Sequence, residues 1–118
     1  MIGEETTIHA RRETADEGFV NVEIQAWRIE GVKCFVVSHS PPGSAPEGWV
    51  LYHIKTGHAV FVSFPTKKAA AELAVHLEAL PGNWNLKHPK AWLYHAGQAL
   101  VEKMIVEGKG ERLTFPGL

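Results

Sequence analysis

A change of hydrophobic period at Pro65 and Thr66 constrains this chain more than any other feature. Upstream, apolar residues recur at every second position; downstream, they recur at three- and four-residue steps. Side chains alternate across a strand but return every 3.6 residues on a helix, so the two halves fold differently. The sequence predicts an α+β fold: a four-stranded antiparallel sheet of two consecutive hairpins, packed on one face by two C-terminal helices.

The first hairpin is expected within residues 19–39. Val20, Val22, Ile24 and Ala26 alternate with Asn21, Glu23, Gln25 and Trp27. Glu30 and Gly31 suit a tight turn because glycine accepts positive φ. With Ile29 opposite Val32, the residues Val20, Val22, Ile24, Ala26, Phe35 and Val37 share the core face. Glu23, Gln25, Trp27, Cys34, Val36 and Ser38 take the other face.

The second hairpin is expected over residues 49–54 and 58–64, joined by Lys55, Thr56 and Gly57. Ile54 then opposes His58, and Tyr52 opposes Val60. One face carries Val50, Tyr52, Ile54, His58, Val60, Val62 and Phe64. The other carries Trp49, Leu51, His53, Ala59, Phe61 and Ser63. Both faces are apolar, which puts this hairpin mid-sheet or covers its second face.

Thr66 is an N-cap candidate for the first helix, whose stripe is Ala70, Leu73, Ala74, Leu77 and Leu80. Pro81 and Gly82 stop it. The second helix is expected from Pro89, as a first-turn proline, to about Glu107. Gly97 inside it costs roughly 1 kcal/mol against alanine, a cost that close packing would explain. Residues 1–18 lack a sustained period and read as a loose N-terminal arm, with at most a short segment around Ile8. Residues 19–118 read as one domain. Residues 40–48 hold three prolines and form a surface loop, and residues 111–115 suit a short edge strand.

Composition narrows the function classes. A chain of 118 residues is one domain with room for its own core. Its formal charge of -1 argues against a strongly basic nucleic-acid binder. The single cysteine, Cys34, excludes an internal disulfide and a cysteine-rich zinc site. Asp16 is the only aspartate, which disfavours clustered-carboxylate phosphoryl chemistry. No apolar run reaches the roughly 20 residues of a membrane span, and the polar start lacks a secretory pattern. A cytoplasmic protein is expected.

No catalytic motif emerges. The seven histidines are His9, His39, His53, His58, His76, His88 and His95, and no pair has the i, i+4 helical spacing of a zinc site. Ser38 and His39 are strand neighbours and point to opposite faces. Gly108, Lys109 and Gly110 lack the spacing of a phosphate loop. Neither a metal nor a cofactor is expected, and the protein is read as non-enzymatic.

Aromatic residues carry the functional expectation. Trp27 alternates with the core set of its own strand and belongs on an open sheet face. Val36, Tyr52, His58, Trp49 and Phe61 are its candidate companions in a contact patch. The leading expectation is a binding, adaptor or inhibitor protein acting through a protein interface on that face, including a homodimer. The alternative is a single-stranded DNA or RNA binder, with bases stacked on the same aromatics and phosphates held by Lys67, Lys68, Lys87 and Lys90 at the two helix starts. The strands-then-helix order is similar to the single-strand-binding plan of transcriptional coactivators, a likeness of inferred topology that no motif carries. A small metal-dependent or hydrolytic enzyme ranks third.

Overall fold

The computed structural model describes residues 2–14 and 18–114. Its order is β1 (Ile2–Thr14), β2 (Gly18–Ile29), β3 (Phe35–His39), β4 (Trp49–His53), β5 (Val62–Ser63), α1 (Lys67–Glu78), α2 (Ala91–Val106) and β6 (Glu111–Arg112). The fold is α+β. Strands β1 to β4 form an antiparallel sheet in sequence order, and the two helices pack against one face of it. A second, two-stranded sheet pairs β5 with β6.

Residues 2–14, expected in a loose arm, form β1 and pair along almost the whole of β2. Thr6, Ile8 and Ala10 face one side of the sheet while Thr7, His9 and Arg11 face the other, an alternation that interspersed charges mask. Asp16 and Glu17, read as the end of that arm, and Phe115, read as the end of the tail strand, lie outside the described residues.

The expected hairpin registers differ from the observed ones. Trp27 pairs with Val37, which displaces β3 three positions from a tight Ile29–Val32 turn. The connection is longer: Val32 N–H donates to Ile29 O at 3.1 Å, and Gly31 takes a φ of 77°. An odd displacement exchanges faces. Phe35 and Val37 therefore join Ile29 on the helix side, whereas Ala26 and Val36 take the other.

The second hairpin also departs from its expected pairing. Tyr52 bridges to Ala59 rather than Val60, and Trp49 bridges to Phe64. Two residues slip between these bridges, where Val62 N–H bonds Val60 O. Val62 and Phe64 consequently face the helices with Leu51, while Val50 and Tyr52 face away.

Both faces of β3 and β4 are buried, as the apolar character of both faces of β4 implied. The helix side packs Phe35, Val37, Leu51, Val62 and Phe64 against Leu73, Leu77, Leu93 and Met104. The far side gathers Ile8, Ala10, Ala26, Val36, Val50, Tyr52 and Leu113 into a second core. The sheet curls until β1 meets the turn after β4, where Arg11 N–H donates to Gly57 O at 2.8 Å. The open sheet face expected from the sequence is thus closed by the chain itself.

The helices follow local rules more closely. Thr66 caps α1 by accepting from Ala69 N–H, and Ala70, Leu73, Ala74 and Leu77 are its buried stripe. Helix α2 starts at Ala91 with Lys90 as N-cap, so Pro89 precedes the cap rather than opening the first turn. A Cβ on Gly97 would sit 3.2 Å from Leu77 Cδ2 and from the Trp84 ring, which accounts for the glycine. Among the described residues, no helix is long and apolar enough to cross a membrane.

Candidate functional site: an aromatic cleft beside an apolar helix face

The connector after α1 brings Trp84 back under α2. Its ring is buried, and its indole N–H donates to Leu77 O at 2.8 Å. The ring is held edge-on to Phe35, with centroids 5.3 Å apart, and to Tyr94 at 5.9 Å. The strand pair with its irregular slip supplies the opposite wall, including Val60 and Phe61. The result is a cleft of about 340 Å³ walled by Phe35, Val60, Phe61, Trp84, Tyr94 and Val101.

His53 lies at the bottom of this cleft and is 5% exposed. Its Nε2 faces Trp84 O at 2.5 Å and its Nδ1 faces Thr56 Oγ1 at 2.9 Å. The carbonyl can only accept, so Nε2 carries the proton and Nδ1 accepts from the threonine hydroxyl. Burial pushes this imidazole below its ordinary range, against an opposing pull from the Trp84 carbonyl. His53 is therefore a neutral, fully engaged core histidine. His58, exposed at the mouth, is also lowered, first by desolvation and then by the Arg11 charge. The rim charges Glu102 and Arg112 bond each other.

The six sequence-derived contact candidates separate into three places. Trp27 and Trp49 meet at 5.6 Å, edge to face, with His39 stacked on Trp49 at 4.2 Å. Val36 and Tyr52, expected on an open face, are instead fully buried in the second core, because the curled sheet covers them. His58 and Phe61 belong to the cleft, and Phe61 is 54% exposed.

The four helix-start lysines do not form one site. Lys67 Nζ lies 3.8 Å from the Trp27 ring centroid and 4.8 Å from that of Trp49. Lys68 is exposed on the next position of α1. Lys87 lines a polar basin with His9, Arg11, Asn21 and Lys55, while Lys90 lines a shallow hollow with Leu86 and Trp92.

Sequence reasoning missed three things. The apolar residues that α2, AWLYHAGQALVEKMIV, turns outward, Ala99 and Val106 among them, were not singled out. Trp92, next to the buried Leu93, is 50% exposed. Glu78 at the end of α1 accepts from Lys33 N–H at 2.9 Å and Cys34 N–H at 2.6 Å, a contact with no local signature. Among the described residues, no three of His, Cys, Asp and Glu converge as metal ligands would. No family model, curated protein or solved structure matches this chain.

Proposed function

We propose that the protein is a non-enzymatic binding protein that works through a protein interface, with the outer face of α2 as the contact surface and a second copy of the chain as partner. One observation carries this reading: the side of α2 that faces away from its own core exposes Trp92, Ala99 and Val106, with His95 and Lys103 between them. Only Leu93, Gly97 and Met104 of its sixteen residues are fully buried. Trp92, His95, Ala99, Lys103 and Val106 form an exposed stripe at three- and four-residue steps, with Val106 85% exposed. Large apolar side chains gathered on one exposed side of a helix mark an interaction surface.

The stripe is self-complementary. In an antiparallel pair centred on Ala99, the Trp92 of one copy packs on the Val106 of the other, and the small central side chain lets the axes approach. A two-fold contact of this kind uses the same patch twice. Light scattering on the purified chain tests it: a mass of twice 13.0 kDa at micromolar concentration is expected. Trp92→Glu and Val106→Glu should each return the monomer without lowering the melting temperature. A wild-type monomer at high concentration refutes the reading.

Single-stranded nucleic acid is the second reading. It is favoured by the basin of about 440 Å³ that His9, Arg11, Lys55 and Lys87 line, with no carboxylate in its wall among the described residues. Phosphate contacts there would make binding strongly salt-dependent. Anisotropy of a labelled oligonucleotide across a salt series tests it.

A further inference from the structure

We infer that the cleft between α2 and the β4–β5 connection is a binding site for a small, uncharged, planar aromatic molecule with one polar edge. The inference is independent of the proposed dimer, because the cleft lies on the flank of α2 that carries Tyr94, Gln98 and Val101, not on the stripe from Trp92 to Val106.

Size, shape and charge each restrict the ligand. A volume of about 340 Å³ is at the small end of ligand pockets and fits a fused two-ring molecule, not a peptide or a lipid chain. Phe35, Phe61, Trp84 and Tyr94 present ring faces and edges from both walls, the arrangement that stacked or edge-on aromatic contacts require. The walls are preformed. Trp84 is fixed by its bond to Leu77 O, and His53 has both ring nitrogens engaged. A preformed wall spares the ligand the cost of ordering it.

Net charge in the cleft is zero. Among the described residues, Glu102 and Arg112 are its only formal charges, and they bond each other across the rim. A charged ligand would lose hydration without gaining an unpaired counter-ion. Two polar groups remain for orientation: among the described residues, the Tyr94 hydroxyl and the Gln98 amide make no hydrogen bond to the chain. Both stand at the open side, so the ligand's polar edge points outward and its rings point toward Trp84.

The test uses the full chain and 2-naphthol as probe, followed by calorimetry. One saturable site per chain is expected, with micromolar to sub-millimolar affinity. Val101→Trp fills the cleft and should weaken binding at least tenfold; Phe61→Ala, at an exposed position that folding tolerates, should weaken it severalfold. Gln98→Ala should weaken 2-naphthol more than naphthalene. Val106→Glu, on the outer stripe, should leave the affinity unchanged, which separates this site from the proposed dimer face. Absence of saturable 2-naphthol binding, equal affinity for the anionic 2-naphthoate, or binding undiminished in both Val101→Trp and Phe61→Ala would overturn the assignment.

Discussion

Trp27 stands directly opposite Val37 in the β2–β3 ladder, so its indole is on the helix side of the sheet and not on an outer face. Trp49, His39 and the Lys67 ammonium enclose it from three directions. An indole packed in this way contributes to stability. Trp27→Ala is expected to cost about 2 kcal/mol, less than the roughly 3–5 kcal/mol of a fully buried tryptophan. Urea denaturation measures the loss, and an unchanged oligomeric mass in the same variant separates packing from partner contact. A variant as stable as wild type contradicts this placement.

Tyr52 is 1% exposed, and its hydroxyl finds no hydrogen-bond partner among the described residues. An unsatisfied buried hydroxyl is costly, whereas its removal with the ring retained is not. Tyr52→Phe should therefore raise stability by about 1 kcal/mol. A loss of similar size would show that the hydroxyl is bonded.

Closure of the curled sheet depends on Gly57. Its φ is 73°, and a Cβ there would lie 2.8 Å from His9 O. Gly43 shares the left-handed conformation, with a φ of 81°, but has open space around it. Gly43→Ala should cost about 1 kcal/mol from backbone strain alone. Gly57→Ala should cost at least about twice as much, since strain and overlap combine. Equal effects in thermal denaturation would mean that β1 is not held against this turn.

Stability should depend on pH through His53 and His58. Both folded-state values lie below the ordinary 6.5, for which desolvation is the main cause. The unfolded chain therefore binds more protons as pH falls through 6.5. Stability is fully present above that value and declines below it until the lower folded values are passed. Urea midpoints should fall from pH 7.5 to 5, and His53→Gln should flatten the slope. A profile unchanged by that substitution would assign the dependence elsewhere.

The Cys34 thiol is pushed up to about 11, first by its burial and then by the Glu78 carboxylate beside it. The thiolate is the reactive form. Alkylation by iodoacetamide should be slow at pH 7.5 and still rising about tenfold per pH unit beyond pH 9. Glu78→Gln should accelerate it at fixed pH. A rate that levels off near pH 8.5 would contradict the assignment.

Local rules made the helical half legible. Thr66 caps α1, the Ala70, Leu73, Ala74 and Leu77 stripe enters the core, and Gly97 marks a close approach to Leu77 and Trp84. Each depends on residues within a few positions or on one helical period. The two apolar faces of β4 likewise announced a strand covered on both sides, which is what Val50, Leu51 and Tyr52 show. The α2 outer stripe was readable from the same period, since Trp92, Ala99 and Val106 recur on one side.

Strand register was decided by tertiary structure. Gly31 signalled a turn after β2, but the longer turn that forms is held by Glu78, which accepts from the Lys33 and Cys34 amides from 45 and 44 residues away. Three positions of displacement move Phe35 and Val37 to the helix side and Val36 to the second core. The alternation of side chains is a local property of the strand and so is written in the sequence. Which parity faces which core is set by what the strand pairs with, and β3 pairs with β2 and β4 after a turn whose amides bond a carboxylate on a distant helix.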